Sequence, residues 1–444
     1  MAPSPGVRDG VGFTPAMGRE PANAGAAGEP GRRPSPPDPV AGPGGETPAP
    51  PRARSGRGVT DPGDDSAATS AGVEILARCS PGEVRVAAVR DGLLLDHAIW
   101  RPGRPDGVGD LHRGRVTARV PALAGCFVAL AGADGFLPDS EAVPKAPTEG
   151  TVLGVRVTRA AQGGKGPRLT ARLTEAERGL IGAGSPALIR RGPGAVERLA
   201  ALYPGAPVLA DDPALVARLR PVLGARLRPA ASVWDEDVAG QVDALALPEV
   251  ALPGGVRASI HPTPALVAID LDTAGASADR RAKAAAQWAA NAAVLPALAR
   301  QLRLRDLSGA ILVDLAGLSP KRRAALAPAL ARALADDPLR PRLLGFTALG
   351  LAEIVRPRVH PPLHELLAGP HAAGLAALRD LAREAAARPA AALAVRAAPG
   401  VASALEGDPV ASADLARRTG RPLIVRPDPA LPPGGWAIEE VRRA

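Results

Sequence analysis

Apolar positions follow no period over residues 1 to about 70, a stretch rich in Pro, Gly, Ala and Ser. Such a segment buries too little surface to offset its ordering entropy, so it is expected to be disordered. Met17 is a second candidate start within it. Strand-like runs begin at Val73-Glu-Ile-Leu-Ala and continue, separated by Gly and Pro turns, to about Leu173. Pro186 to Leu252 mixes short apolar strands with helical stretches at Ala195–Tyr203 and Pro213–Leu219. The clearest pattern lies between Ala265 and Thr347. Ala265-Leu-Val-Ala-Ile-Asp270 is an apolar run that ends in a carboxylate, and Ala310-Ile-Leu-Val-Asp314 is a second. Between them, about Arg280 to Arg305, apolar residues recur every three or four positions (Trp288, Ala292, Leu295, Ala299, Leu302), which predicts a helix kinked at Pro296. A further helix over Pro320–Ala335 and a third strand over Arg342–Thr347 complete a strand–helix–strand order. That order predicts parallel pairing with a right-handed crossover. From about Gly369 the chain reads as an Ala/Arg-rich helix followed by short strands such as Pro422-Leu-Ile-Val425, a small α/β appendage. No internal repeat is found.

Composition narrows the class. The 444 residues allow one to three domains, and with 2% aromatics the core must be built from Ala, Leu and Val. Basic residues number 54 against 45 acidic, and only four are Lys. An Arg-heavy surface suits a polyanion, although GC-rich coding also raises Arg. The two cysteines, Cys79 and Cys126, make neither a disulfide framework nor a four-thiolate zinc site within one chain. No signal pattern and no apolar run long enough to span a bilayer is read, so a cytoplasmic location and no membrane partner are expected.

Reactive groups of open parallel sheets gather at the carboxyl ends of strands. Asp270 and Asp314 occupy equivalent ends of successive strands, and Asp272 points to the same side as Asp270. On adjacent strands, about 4.8 Å apart, the two carboxylates repel unless a cation sits between them. Mg²⁺ suits such a pair, keeping waters and leaving room for a phosphate. The plain alternative is that each Asp caps the following loop, and the pattern alone fits many nucleotide enzymes.

The surrounding residues separate these readings. Ala299-Arg-Gln-Leu-Arg-Leu-Arg-Asp-Leu-Ser-Gly-Ala-Ile-Leu-Val-Asp314 and Thr263-Pro-Ala-Leu-Val-Ala-Ile-Asp-Leu-Asp272 resemble the metal-holding segments of the ribonuclease E/G family. Ser80-Pro-Gly-Glu-Val-Arg-Val-Ala resembles that family's opening strand. Asp110-Leu-His-Arg-Gly-Arg-Val, Ala124-Gly-Cys-Phe-Val, Asp134-Gly-Phe-Leu-Pro138 and Gly164-Lys-Gly-Pro-Arg-Leu-Thr170 resemble its RNA-binding barrel. The resemblance covers roughly 73–362, with a gap. It implies a multi-domain α/β fold: a ribonuclease H-like layer (73–108 and 185–250) split by an S1-type OB barrel (109–173), then a DNase I-like catalytic subdomain (251–362) and the appendage (369–444). It implies an Mg²⁺-dependent endoribonuclease of RNA processing or decay that hydrolyses single-stranded RNA and leaves a 5′-phosphate. Asp270 and Asp314 then hold the ion with Asp272 assisting, while Phe127, Phe136 and Lys165 contact RNA, Phe136 the better supported of the two rings. Asn291 also matches a family position.

Several departures matter. Asp272 stands where the family usually has Asn. About a dozen residues separate Leu173 from Ser185, where the family carries a long segment with an Arg-Thr pair that holds a 5′-monophosphate. His360-Pro-Pro-Leu-His364 replaces the cysteine pair of the family's zinc link, so a homo-oligomer is possible but a zinc-bridged dimer is unsupported. Ala348 or its neighbour replaces an Arg of the third catalytic strand, leaving Arg356 and Arg358 for phosphate. Arg300, Arg303 and Arg305 suit a solvated helix face, with phosphate contact by one of them compatible with the resemblance. Two other functions therefore stay open: an RNA-binding protein with impaired catalysis, and a generic Mg²⁺ phosphohydrolase, which the barrel argues against.

Overall fold

The computed structural model describes residues 71–273 and 280–441. The expected disorder of residues 1–70 lies outside them. Val73–Ser80, Glu83–Arg90 and Leu93–Trp100 form an antiparallel meander. Its second turn, Asp91-Gly92, takes positive φ at both positions (49° and 73°), the geometry a tight two-residue hairpin demands. Val208–Ala210 and Leu227–Pro229 then add in parallel beside the first strand, giving one five-stranded sheet from two distant stretches of chain. Ile75, Val86, Leu219 and Leu227 are sealed in its core under the helices Ala195–Leu202 and Pro213–Leu223.

The barrel is inserted into this sheet. Leu111–Val120, Gly125–Ala129, Asp134–Pro138, Arg168–Thr170 and Val152–Arg159 pair in sequence around a closed circuit, which leaves no free edge among the five. Cys126, Val128, Leu137, Val155 and Leu169 fill the interior. Ala187–Arg190, expected in the second half of the first layer, instead pairs on the outside of Leu111–Val120. The short connector explains this. Arg113 donates to Ile181 O (2.9 Å) and Ser185 O (2.7 Å), while Glu177 bridges Arg156 (2.7 Å) and Arg190 (3.1 Å), which binds the connector to the barrel wall.

A six-stranded sheet follows, in the order Glu249–Leu252, Val256–Pro262, Val267–Thr273, Gly309–Asp314, Ala352–Arg356, Arg342–Phe346. As expected, Val267–Thr273 and Gly309–Asp314 are parallel neighbours joined by a long helix, Arg280–Leu304, which runs through Pro296. The third strand does not take the next parallel position. Arg342–Phe346 is the outer arm of a hairpin whose inner arm, Ala352–Arg356, pairs antiparallel with the Asp314 strand. The turn Thr347–Leu351 is too short for a crossover and forces the hairpin. The Pro320–Ala335 helix is two pieces, Pro320–Ala324 and Ala327–Ala335.

Among the described residues, one face of this sheet is closely packed and the other is more open. Ile269, Leu271, Ile311 and Val313 bury against Val294, Leu295, Leu298 and Leu302 of the long helix and against Leu330 and Leu334. Full burial of one such Leu contributes about 1.5–3 kcal/mol. Of the expected stripe, Leu295, Ala299 and Leu302 are buried and Ala292 packs against the core, while Trp288 stays exposed. The alternate positions Ala268, Asp270, Leu312 and Asp314 face the uncovered side.

The C-terminal unit has the helices Gly369–Ala387, Pro399–Glu406 and Pro409–Thr419 around a three-stranded sheet. Its strand is Val425–Pro427, just after the expected Pro422–Val425. Glu83 joins it to the first layer. That carboxylate is 1% exposed and meets Arg85, Arg101 and Arg379, each at 2.9 Å. Burial pushes its pKa up, but the three guanidinium groups outweigh this and hold it below the ordinary value.

Candidate active site

Asp270 and Asp314 stand in register on the two parallel strands, with their side chains on the uncovered face of the sheet. Each strand delivers its carboxylate at its carboxyl end because an apolar run anchors the residues before it. Asp270 is exposed and Asp314 is half-exposed. Oxygen-only donors paired side by side fit a hard divalent cation that takes one or two carboxylates. Asp272 shares their face, with Arg257 opposite it on the neighbouring strand. Among the described residues no group of three or more His, Cys, Asp or Glu side chains is close enough to hold an ion.

Two residues organise the loop after Asp314. Asn291 is 1% exposed. Its amide donates to Ala316 O (3.0 Å) and accepts from Ala316 N (3.1 Å), fixing the chain two residues beyond the carboxylate. It also donates to Gln287 O one helical turn back (2.7 Å). This gives the matched Asn a structural task that periodicity could not reveal. Arg323, from the short helix after the loop, rests a guanidinium nitrogen against Asp314 Oδ1. That contact is a charge pair without hydrogen-bond alignment. Nothing in the sequence singled out Arg323 from its neighbours Lys321 and Arg322.

The arginines proposed from the sequence divide sharply. Arg356 is 3% exposed and fully occupied by Asp306 (2.5 Å), Asp337 (2.7 Å) and Leu307 O (3.1 Å), so it is a structural tie and not a phosphate ligand. Arg305 is buried against Gln301 and the carbonyls of Leu245 and Leu247, and Arg303 bridges Asp96 and Tyr203. The helix face expected to be solvated is thus a packed seam at these two positions. Arg358 is exposed.

On the barrel, Phe127 and Phe136 lie opposite one another on neighbouring strands and form an edge-to-face pair, centroids 5.6 Å apart. They point away from the core that Cys126, Val128 and Leu137 fill. Phe127 is the more open ring, 39% exposed, which reverses the order expected from the sequence. Its buried neighbour Cys126 is the reason, since successive strand residues face opposite sides. Arg168 is in register with Phe136. Lys165 is exposed on a tight hairpin with Gln162, where Gly163 and Gly164 both adopt positive φ (57° and 73°). Phe136 N donates to Pro167 O (2.8 Å), which sets this basic turn beside the rings.

A main-chain hydrogen bond from Ala160 N to Val359 O (2.8 Å) joins the barrel to the chain just beyond the strand Ala352–Arg356 of the six-stranded sheet. Arg159, Arg168 and Arg358 gather at this junction. Burial first, then the charges of Arg168 and Arg358, lower the pKa of Arg159. Arg358 lies against Gly309, where the Asp314 strand begins; an added Cβ there would meet its guanidinium at 2.5 Å. Five residue steps, roughly 17 Å, separate Gly309 from Asp314.

A cavity of about 450 Å³ lies elsewhere, beside the edge strand Leu93–Trp100. Its charges are mostly internally matched, including Arg303 with Asp96, Arg356 with Asp306 and His360 with Asp106 (2.6 Å). We read it as the seam between layers. His360 is occupied in this seam.

Residues 229–359 match the model of the Ribonuclease E/G family. The chain is similar to ribonuclease E of Nostoc sp. (34% identity over 120 residues; 27% of this chain, 17% of the relative) and of Escherichia coli K12 (34% over 129; 29% and 12%). It is similar at lower identity, but far more extensively, to ribonuclease G of Escherichia coli K12 (24% over 399 positions; 66% of this chain, 81% of the relative). The match to ribonuclease E of Nostoc thus spans only about a sixth of that protein's length. The segment that brings Asp270 and Asp314 into register lies within the stretch that matches the Ribonuclease E/G family model, and the chain is similar to ribonucleases E and G over the spans given above.

Proposed function

We propose that the chain is an endoribonuclease that hydrolyses single-stranded RNA with Mg²⁺, in RNA processing or decay. The observation that carries this is the in-register pair Asp270 and Asp314 on the open face of the sheet. The names of the relatives support it. In this reading the pair holds the ion, which would activate water and offset phosphate charge. Phe127 and Phe136 stack bases, and Lys165, Arg168 and Arg358 take backbone phosphates on the way to the aspartates. The Asn291 amide keeps the Asp314 loop in its working position. Asp272 adds negative charge at the rim of the site.

We further propose that cleavage is indifferent to the 5′ end. Between Leu173 and Ser185 the chain has room for only one seven-residue helix, Glu175–Ile181. The alignment with ribonuclease G runs over 399 positions yet takes in 66% of this chain, so about a hundred positions of that relative face no residue here. Equal cleavage of 5′-triphosphate and 5′-monophosphate substrates is expected, and a marked monophosphate preference refutes this part.

The test is cleavage of a fluorescent A/U-rich RNA with and without Mg²⁺, beside Asp314→Asn. Cutting that needs the ion and vanishes in the variant supports the enzyme. The second reading, RNA binding with impaired catalysis, draws on Asp272 and on the Arg323 contact with Asp314. Binding without cutting by either protein selects it.

A further inference from the structure

Arg323 is built into the site rather than laid across it. Its side chain is 13% exposed. Nε donates to Leu318 O (2.8 Å), and Nη1 both reaches Gly350 O (3.4 Å) and meets the Asp314 carboxylate. Those carbonyls belong to the loop after the Asp314 strand and to the hairpin turn Thr347–Leu351. The turn is closed by Gly350 N to Thr347 O (2.8 Å) and Thr347 N to Leu351 O (2.9 Å). Gly350 sits tight against the Arg323 stem: an added Cβ would lie 3.1 Å from its Cδ, on a residue that also has φ of 84°. A guanidinium has five N–H donors in a fixed fork. The contacts above use Nε and Nη1, and no hydrogen bond is made by Nη2 among the described residues.

We infer that Arg323 is a catalytic residue of this site, with its free Nη2 edge directed to the phosphate under attack while Nη1 stays on Asp314. The role rests on the ribonuclease reading above. A fixed guanidinium beside the carboxylate pair answers two charge problems at once. Without RNA it offsets part of the negative charge of Asp270 and Asp314. With RNA it meets the charge that builds on the phosphoryl oxygens, where a preset donor is worth more than a mobile one. Because it shares Asp314, it also competes with a divalent ion for that carboxylate.

The experiment uses the full chain and three readouts: cleavage rate, RNA affinity, and Mn²⁺ binding followed by electron paramagnetic resonance. Arg323→Ala is expected to cut about a hundredfold more slowly, to bind RNA nearly as well, and to bind Mn²⁺ at least as tightly as wild type. Added guanidinium ion should restore part of its rate, a response that a purely structural role does not give. Arg323→Lys should recover less than guanidinium does, because Lys lacks the fork. Equal cutting by wild type and Arg323→Ala overturns the role and leaves the ribonuclease reading intact. A slow variant with weakened Mn²⁺ binding and no guanidinium rescue also overturns it, since Arg323 would then only shape Asp314. Wild-type protein that leaves RNA uncut sinks the ribonuclease reading itself, and the role with it.

Discussion

Asn291 and Ala316 close a ring of two hydrogen bonds, the side-chain amide of one residue pairing with both main-chain groups of the other. The ring ties the middle of the crossover helix to the loop that leaves Asp314. Asn291→Ala strands a buried N–H and a buried carbonyl, each costing about 1–3 kcal/mol if left unpaired. Urea unfolding should show a loss of that order, and cleavage should fall further than the lost stability explains. Unchanged activity in a destabilised variant would separate the ring from the chemistry.

Phe127 should dominate RNA affinity on the barrel. It is open to solvent and packs edge-on against Phe136. Stacking of a base on an aromatic ring contributes about 1–3 kcal/mol. Phe127→Ala should therefore weaken binding of a short single strand by at least about fivefold, with little change in melting temperature. Phe136→Ala should lower both, because Phe136 also covers Gly125, where an added Cβ would meet its ring at 2.5 Å. Fluorescence anisotropy alongside thermal melts distinguishes the two.

Glu83 is the tie whose loss should be felt most in stability. Three arginines converge on it from two layers. Breaking a buried ion pair by removing one partner costs about 3–5 kcal/mol. Glu83→Ala is expected to lose that much and to loosen residues 369–441, read as faster amide exchange in the helix Gly369–Ala387. Uniform exchange across the chain would contradict the idea that Glu83 fastens this unit.

Acid should destabilise the fold partly through His97. Burial, then the neighbouring charge of Arg85, pushes its pKa down to about 4, against an ordinary 6.5; Glu83 opposes them. The folded state thus binds a proton less readily than the unfolded one. The stability that neutral His97 contributes is complete above pH 6.5 and drains away as pH falls toward about 4. Melting temperature should fall over that window in wild type and fall less in His97→Gln. Parallel profiles would remove His97 from the account.

How far the sequence reached depends on the kind of information each feature needs. The two aspartate strands and their parallel pairing were legible because an apolar run ending in a carboxylate, repeated on either side of a helical period, constrains both direction and register. The hairpin of Arg342–Phe346 with Ala352–Arg356 was not, because both strands are short and their order in the sheet is set by the five-residue turn between them. Arg356 and Arg358 look alike two residues apart, yet one is sealed by Asp306 and Asp337 and the other meets solvent. Only tertiary packing separates them. The same holds for Arg323, whose importance comes from carbonyls at Leu318 and Gly350 that no side-chain pattern advertises.

The hydrogen bond from Ala160 to Val359 carries a consequence for where RNA is cut. If the barrel rings bind RNA as proposed, this bond ties the surface that would grip a base to the chain leaving the sheet that bears the carboxylates, main chain to main chain. A strand stacked on Phe127 and severed at Asp314 is then measured against a fixed gauge. The cut should fall at a constant count of nucleotides from the gripped base, whatever the sequence between.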